Sequence, residues 1–242
     1  MARKVAKVGM TGTFINVGAI LLGSGIGLLC GSRLSDQLKS TVLSGMGIFT
    51  AAIGMQMFLK TENSLIVLGA LLMGVLLGEW WKIEDWLQNL GVWIERRISG
   101  HSEGRSSLFV RGFLAASVLY CTGPMAVLGS ISDGLQGDYL TLSIKAVLDG
   151  FLSLAFASTM GLGVVFSALP VLVYQGGISL LAGQLNAIID NAMLNELTAT
   201  GGVLLIGISI SSMLELKKIR IGNFLPALAI APAIVYILNI LK

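Results

Sequence analysis

Residues 120–138 read "YCTGPMAVLGSISDGLQGD". An apolar run enters this stretch from Leu108 and another leaves it from Tyr139, so its reading decides how many times the chain crosses a bilayer. It carries a Thr-Gly-Pro breaker, four glycines and two aspartates, Asp133 and Asp138. Pro124 lacks an amide and clashes with the preceding turn, and Gly123 loosens the backbone. Broken backbone at membrane depth is tolerated where it is buried in protein or lines a watery cavity. The reading is a membrane-buried break at Thr122–Pro124 and a loop at Gly137 and Asp138. Carbonyls freed around Cys121 and Thr122 suit a cation, and amides freed after Pro124 suit an anion. The alternative makes "SDGLQGD" an ordinary loop with Asp133-Gly134 as its turn.

The rest of the chain sets the solvent. Of 242 residues, 55% are hydrophobic and 12% charged, where a soluble domain has about 25% charged. The mean hydropathy is +0.85. Apolar runs of about 20 residues recur, the length that crosses a bilayer. The class is therefore an all-α polytopic membrane protein with the lipid bilayer as its first partner. Eight spans are expected: 13–31, 42–59, 65–81, 108–128, 140–159, 162–183, 199–214 and 221–241. A seven-span form, with the quoted stretch re-entrant, is the alternative. The basic start followed by an apolar run resembles a signal peptide, but the run is long and glycine-rich and no small-x-small site follows. It reads as a retained span. The net charge of +3 forms no basic cluster, which excludes nucleic acid as a partner. Cys30 and Cys121 lie in apolar segments as packed thiols, and the single His101 lies in a polar loop, so neither a metal nor a cofactor is expected.

The single integral membrane domain, 1–242, divides into repeat one (12–81), an interfacial helix (82–98), a polar loop (99–107), a central broken-helix region (108–160) and repeat two (162–241). "GSGIGLLCG" at 23–31 matches "QGGISLLAG" at 175–183, and "GIFTAAIGMQMFL" at 47–59 matches "GVLLIGISISSML" at 202–214. In each half an amphipathic linker joins these stretches and a third span follows. With five crossings between counterparts the repeats are inverted, a design common in secondary transporters, whose solute sites lie at the midplane. Between 82 and 98, Ile83, Trp86, Leu87, Leu90, Trp93, Ile94 and Ile98 recur at helical spacing while Lys82, Glu84, Asp85 and Gln88 take the other face. That is an in-plane helix anchored by Trp80, Trp81, Trp86 and Trp93. Ten Lys and Arg flank one side of the eight spans and five the other, so the positive-inside rule puts both termini outside, against the basic N-terminus.

Glycines 23, 27 and 31 in the first span, and 69, 74 and 78 in the third, let helices approach closely. Intramembrane polar groups are costly and mark sites. Lys145 and Asp149, four apart, share a helix face and pair. Asn16, Gln175 and Asn223 place amides within spans, as interhelical hydrogen bonds or as site lining. No nucleophile elbow, zinc helix or phosphate loop is present, so no enzyme is expected.

Six stretches, "GTFINVGAILLGSGIG", "CTGPMAVLGSISDGLQGD", "IKAVLDGF", "YQGGISLLA", "ELTATGGVLLIGI" and "IRIGNFLPAL", resemble the bacterial membrane proteins catalogued as domain of unknown function 554, from Gly12 to the C-terminus. The resemblance implies a multi-pass protein of the prokaryotic cytoplasmic membrane and brings no substrate. The expected function is a transporter or channel for a small ion or small polar solute. Its site would gather Thr122, Gly123, Pro124, Asp133, Lys145, Asp149, Gln175, Asn223 and Asn16. A non-transporting scaffold or regulator is the alternative and an intramembrane enzyme the third; homo-oligomerisation is left open.

Overall fold

The computed structural model describes residues 9–31, 35–89, 93 and 105–241. Helices dominate: α1 Thr11–Gly31, α2 Asp36–Phe58, α3 Ser64–Trp81, α4 at 83–89, α5 Arg105–Cys121, α6 Pro124–Gln136 and α7 Leu140–Met160. Then come the short α8 Gly163–Phe166, α9 Ala168–Leu180, the short α10 Ala182–Leu185, α11 Asn191–Ile208 and α12 Ala227–Ile240. A π-turn, Ser209–Met213, extends α11, and a 3₁₀ turn, Ile221–Phe224, leads into α12. Among the described residues no strand is present. Among the described residues seven stretches are long and apolar enough to cross a membrane, and α5 with α6, bent by 59°, make an eighth if the pair is one span.

The densest packing is between α1 and α7. A Cβ on Gly23, Gly27 or Gly31 would run into the carbonyl oxygens of Gly150, Leu154 and Ser158 respectively. Gly12 meets Leu142 at the other end, so the two helices run parallel. The order of contacts in α3 and α12 is reversed: Gly74 touches Ala227 and Gly78 touches Asn223. Likewise α2 and α11 cross antiparallel, with Gly54 against Gly202 and the Ser209 hydroxyl donating to Gly47 O at 2.6 Å. Gly69 has nothing near it; the third-span glycine row therefore packs through Gly74 and Gly78 only.

These directions place both α1 and α7 with their N-termini at one end of the bundle, here the near end. At the far end Arg111 in α5 pairs with Glu215 beyond α11. The α5–α6 pair therefore runs from the far end to the near end as one broken crossing. Several expectations change here. The fourth span does not run through to Leu128: α5 stops at Cys121 and Gly123 caps α6 at its N-terminus, with Pro124 in the first turn. Asp133 and Gly134 are helical, not a turn. Asp133 accepts from Gly12 N and Gly134 lies against Ser179 O, which hold that part of α6 onto α1 and α9. The chain turns at Gly137, whose φ of 71° suits glycine. Residues 191–198 of the linker expected before residue 199 are part of α11, which starts at Asn191 because Asp190 caps it by accepting from Met193 N at 2.7 Å. Helix α2 likewise starts at Asp36, capped by Ser35.

Residues 83–89 are helical, and 90–92 and 94–98 of the expected interfacial helix lie outside the described residues, as do Arg33, His101 and the N-terminal basic residues. Leu87 is buried and Trp86 and Trp93 are exposed. Glu84, expected on the polar face, turns inward: its carboxylate accepts from Gly222 N at 2.7 Å and its own N–H donates to Asn223 Oδ1 at 2.8 Å. Cys121 is partly buried and Cys30 exposed, both free.

Candidate functional site

Four of the nine expected residues meet. Asp149 is the tenth residue of the 21-residue α7, about 14 Å along a helix rising 1.5 Å per residue, which is near mid-span. Its carboxylate pairs with Lys145 one turn earlier. Asn16, on the α1 face that the glycine row presses against α7, donates from Nδ2 to Asp149 Oδ2 at 3.0 Å and to Gln175 Oε1 of α9 at 3.3 Å. All four residues are at most 5% exposed. The close α1–α7 approach puts a short amide within reach of the carboxylate, which a Cβ at Gly23 would push away.

Chemistry fixes how the two amides lie. Asp149 is an acceptor, so Asn16 must present its NH2 there, and Gln175 must then present its oxygen to Asn16. That leaves Asn16 Oδ1 and Gln175 Nε2 with no protein partner although both are buried. One free acceptor and one free donor thus lie beside the ion pair. A buried group left unmatched otherwise costs about 1–3 kcal/mol.

Sequence reading missed the second layer. Lys145 Nζ sits 5.6 Å from the centre of the Tyr120 ring, within range of a cation–π attraction. The Tyr120 hydroxyl is 2.8 Å from Ser153 Oγ, and both side chains are fully buried. Tyr120 opens the quoted stretch, two residues before the break. Ser153 follows Asp149 by one turn of α7, and that i, i+4 spacing was the available signal.

The remaining residues lie elsewhere. Thr122 turns from the cluster: its hydroxyl donates to Val118 O at 2.7 Å and its side chain packs on Gly201. It and Cys121 border an apolar cavity of about 480 Å3 between α6, α9, α11 and α12. Gly123 has open space beside it, and Pro124 begins α6. Asp133 is fully buried toward the near end, with Oδ2 accepting from Gly12 N at 2.8 Å and Oδ1 unpartnered. Asn223 lies toward the far end against Gly78 and Glu84, too far along the bundle to join Asp149. A polar cavity of about 370 Å3 near it is walled by Glu84, Gln88, Arg111, Glu215 and Lys218. Beyond the membrane boundary, the Asp85 carboxylate hydrogen-bonded to Arg220, with Glu79 beside it, raises that guanidinium's pKa further above its ordinary value. Among the described residues no group of three His, Cys, Asp or Glu side chains is placed to hold a metal ion.

Another buried carboxylate was also missed. Glu196, 1% exposed on α11, accepts from Thr61 Oγ1 at 2.7 Å, Glu62 N at 2.8 Å and Asn63 N at 3.0 Å. It holds the turn between α2 and α3, accepting from one hydroxyl and from the two backbone amides that precede Ser64, where α3 begins.

Comparison with known proteins gives a family without an assigned chemistry. The family described as "Protein of unknown function (DUF554)" matches residues 11–236. The uncharacterized membrane protein YdfK of Bacillus subtilis (strain 168) is 29% identical over 234 residues, 95% of this chain and 97% of its own length. The uncharacterized protein YqgA of Escherichia coli (strain K12) is 29% identical over 222 residues, 91% of this chain and 94% of its own. No solved structure matches.

Proposed function

The chain belongs to the DUF554 family of membrane proteins, and from that premise we propose that it transports or conducts a small ion or small polar solute through the cytoplasmic membrane, binding it at Asp149, Lys145, Asn16 and Gln175. The observation that carries the reading is the pair of buried, unpartnered amide atoms, Asn16 Oδ1 and Gln175 Nε2, on a mid-span ion pair. A cluster serving only to join helices would satisfy its own polar atoms, because lipid offers no replacement. The antiparallel crossings of α2 with α11 and α3 with α12 are the relation that inverted repeats produce, and they support a two-halved carrier. The far end, with Lys82, Arg111, Lys217, Lys218 and Arg220, is then the cytoplasmic side.

A thermal-shift screen of purified protein against ions and small metabolites tests this. A ligand at 100 times its dissociation constant stabilises by about 2.7 kcal/mol. The expected result is a ligand that raises the unfolding midpoint of the wild type but not of Asp149→Asn, and whose flux into liposomes Asp149→Asn abolishes. Wild-type flux in folded Asp149→Asn removes the residue from the site. No ligand and no flux in any condition leaves the scaffold reading.

A further inference from the structure

Among the described residues eight buried side-chain atoms lack a hydrogen-bond partner, and six of them lie on α1, α5, α6 and α9. They are Thr13 Oγ1, Asn16 Oδ1 and Ser24 Oγ on α1, Ser117 Oγ on α5, Asp133 Oδ1 on α6 and Gln175 Nε2 on α9. Helices α1, α5 and α6 pack against α7, which supplies Lys145, Asp149 and Ser153, and α9 packs against α1 and α6. These groups run the depth of the bundle. Asp133 holds the start of α1, and Thr13 follows within that turn. Asn16 leads to Asp149 at mid-span. Tyr120 and Ser153 continue away from the near end. Ser117 lies one turn from Tyr120 on α5, and Arg111, six residues before Ser117 on the same helix, borders the polar cavity at the far end.

We propose that these side chains line a hydrated file that carries protons between the two ends of the bundle. Six unmatched polar groups in a bilayer interior are expensive in isolation, and waters bridging them satisfy each with the two to four partners a buried water needs. A proton arriving on such a water is taken by the Asp149 carboxylate, which becomes a neutral acid beside the Lys145 ammonium. The acid then returns the same proton to a water on its other side, and the carboxylate is regenerated. The titratable groups facing Asp149 are Lys145, Tyr120 and Cys121. The inference rests on the transport reading of the Asp149 cluster and names the ion.

Two measurements test it without any solute. In liposomes loaded with a pH-sensitive dye and held under a potassium–valinomycin potential, wild-type protein should speed proton entry after an acid step. The double variant Thr13→Val with Ser117→Ala, close in shape to the wild type, should slow it about tenfold, the effect of one hydrogen bond worth about 1.4 kcal/mol. Equal rates in the two proteins, or a wild-type rate equal to that of empty vesicles, overturn the proposal. If the double variant fails to fold, radiolytic hydroxyl-radical footprinting of the wild type decides. Tyr120 is 0% exposed and Phe156 is 1% exposed. After correction for intrinsic reactivity, Tyr120 should oxidise several-fold faster because water adjoins it; equal rates mean a dry file and overturn the proposal, even where Asp149→Asn abolishes solute binding.

Discussion

Two helix seams in this molecule are made the same way and hold different things. Along α1–α7 and along α3–α12, glycines let backbones touch: Gly23, Gly27 and Gly31 in the first, Gly74 and Gly78 in the second. The α3–α12 seam is closed by alanines, Ala70, Ala227 and Ala231, all fully buried. The α1–α7 seam has Asn16, Lys145 and Asp149 instead. Close packing in lipid is therefore available to this chain without polar side chains. The ion pair in the first seam is not what holds two helices together, and its presence asks for another reason.

The largest expected effect falls on the ion pair beside the first seam. Lys145→Ala strands the Asp149 carboxylate, and losing one partner of a buried pair costs about 3–5 kcal/mol. Lys145→Ala with Asp149→Ala should recover most of that loss, while flux stays absent. Unfolding midpoints in detergent for the two variants check this. A single variant as stable as wild type would mean that water already reaches Asp149.

Second in size is the pin that fixes the entry to α3. Glu196→Ala leaves the Glu62 and Asn63 amides and the Thr61 hydroxyl without their acceptor. At the near end water replaces part of what is lost, so about 1–3 kcal/mol is expected. Glu196→Gln, which keeps one acceptor oxygen, should lose about half of that. Flux should persist in both whenever they fold. Abolished flux in folded Glu196→Gln would move Glu196 from the scaffold to the site and erase the contrast between the two carboxylates.

That contrast also marks how far the sequence could be read. Lys145 and Asp149 were legible because lipid makes any charge inside a span conspicuous, and the glycine rows because their spacing survives without knowledge of the partner helix. The break at Thr122–Pro124 was legible because proline cannot continue a helix hydrogen-bond ladder. Glu196 was not, since a carboxylate near a helix start reads as solvated until the Thr61–Asn63 turn, more than 130 residues earlier, folds onto it. Glu84 was hidden in the same way by Gly222 and Asn223. Asp133-Gly134 has a turn's composition, and only the α1 N-terminus and Ser179 keep it helical. Placing Asn223 with Asp149 failed because membership of a repeat says nothing about depth along the bundle.

The smallest expected effect separates glycines that touch from one that does not. On Gly78 a Cβ would strike the backbone carbonyl of Asn223, and on Gly74 it would lie 2.7 Å from the Cβ of Ala227. Backbone cannot swing aside as a long side chain does, so α3 must move away from α12. Gly78→Ala should therefore destabilise by about 1–3 kcal/mol, the usual cost of overpacking. Gly69 is on the same helix, yet nothing lies within 4 Å of its added Cβ. There the only change is the backbone freedom lost by the unfolded chain and the better helix propensity of alanine, so Gly69→Ala should stabilise by about 0.5–1 kcal/mol. Opposite signs in paired unfolding measurements are the expected result. If Gly69→Ala also destabilises, that face of α3 is covered in the membrane by something as close as Ala227 is to Gly74, and a second copy of the chain becomes the first candidate to look for by cross-linking.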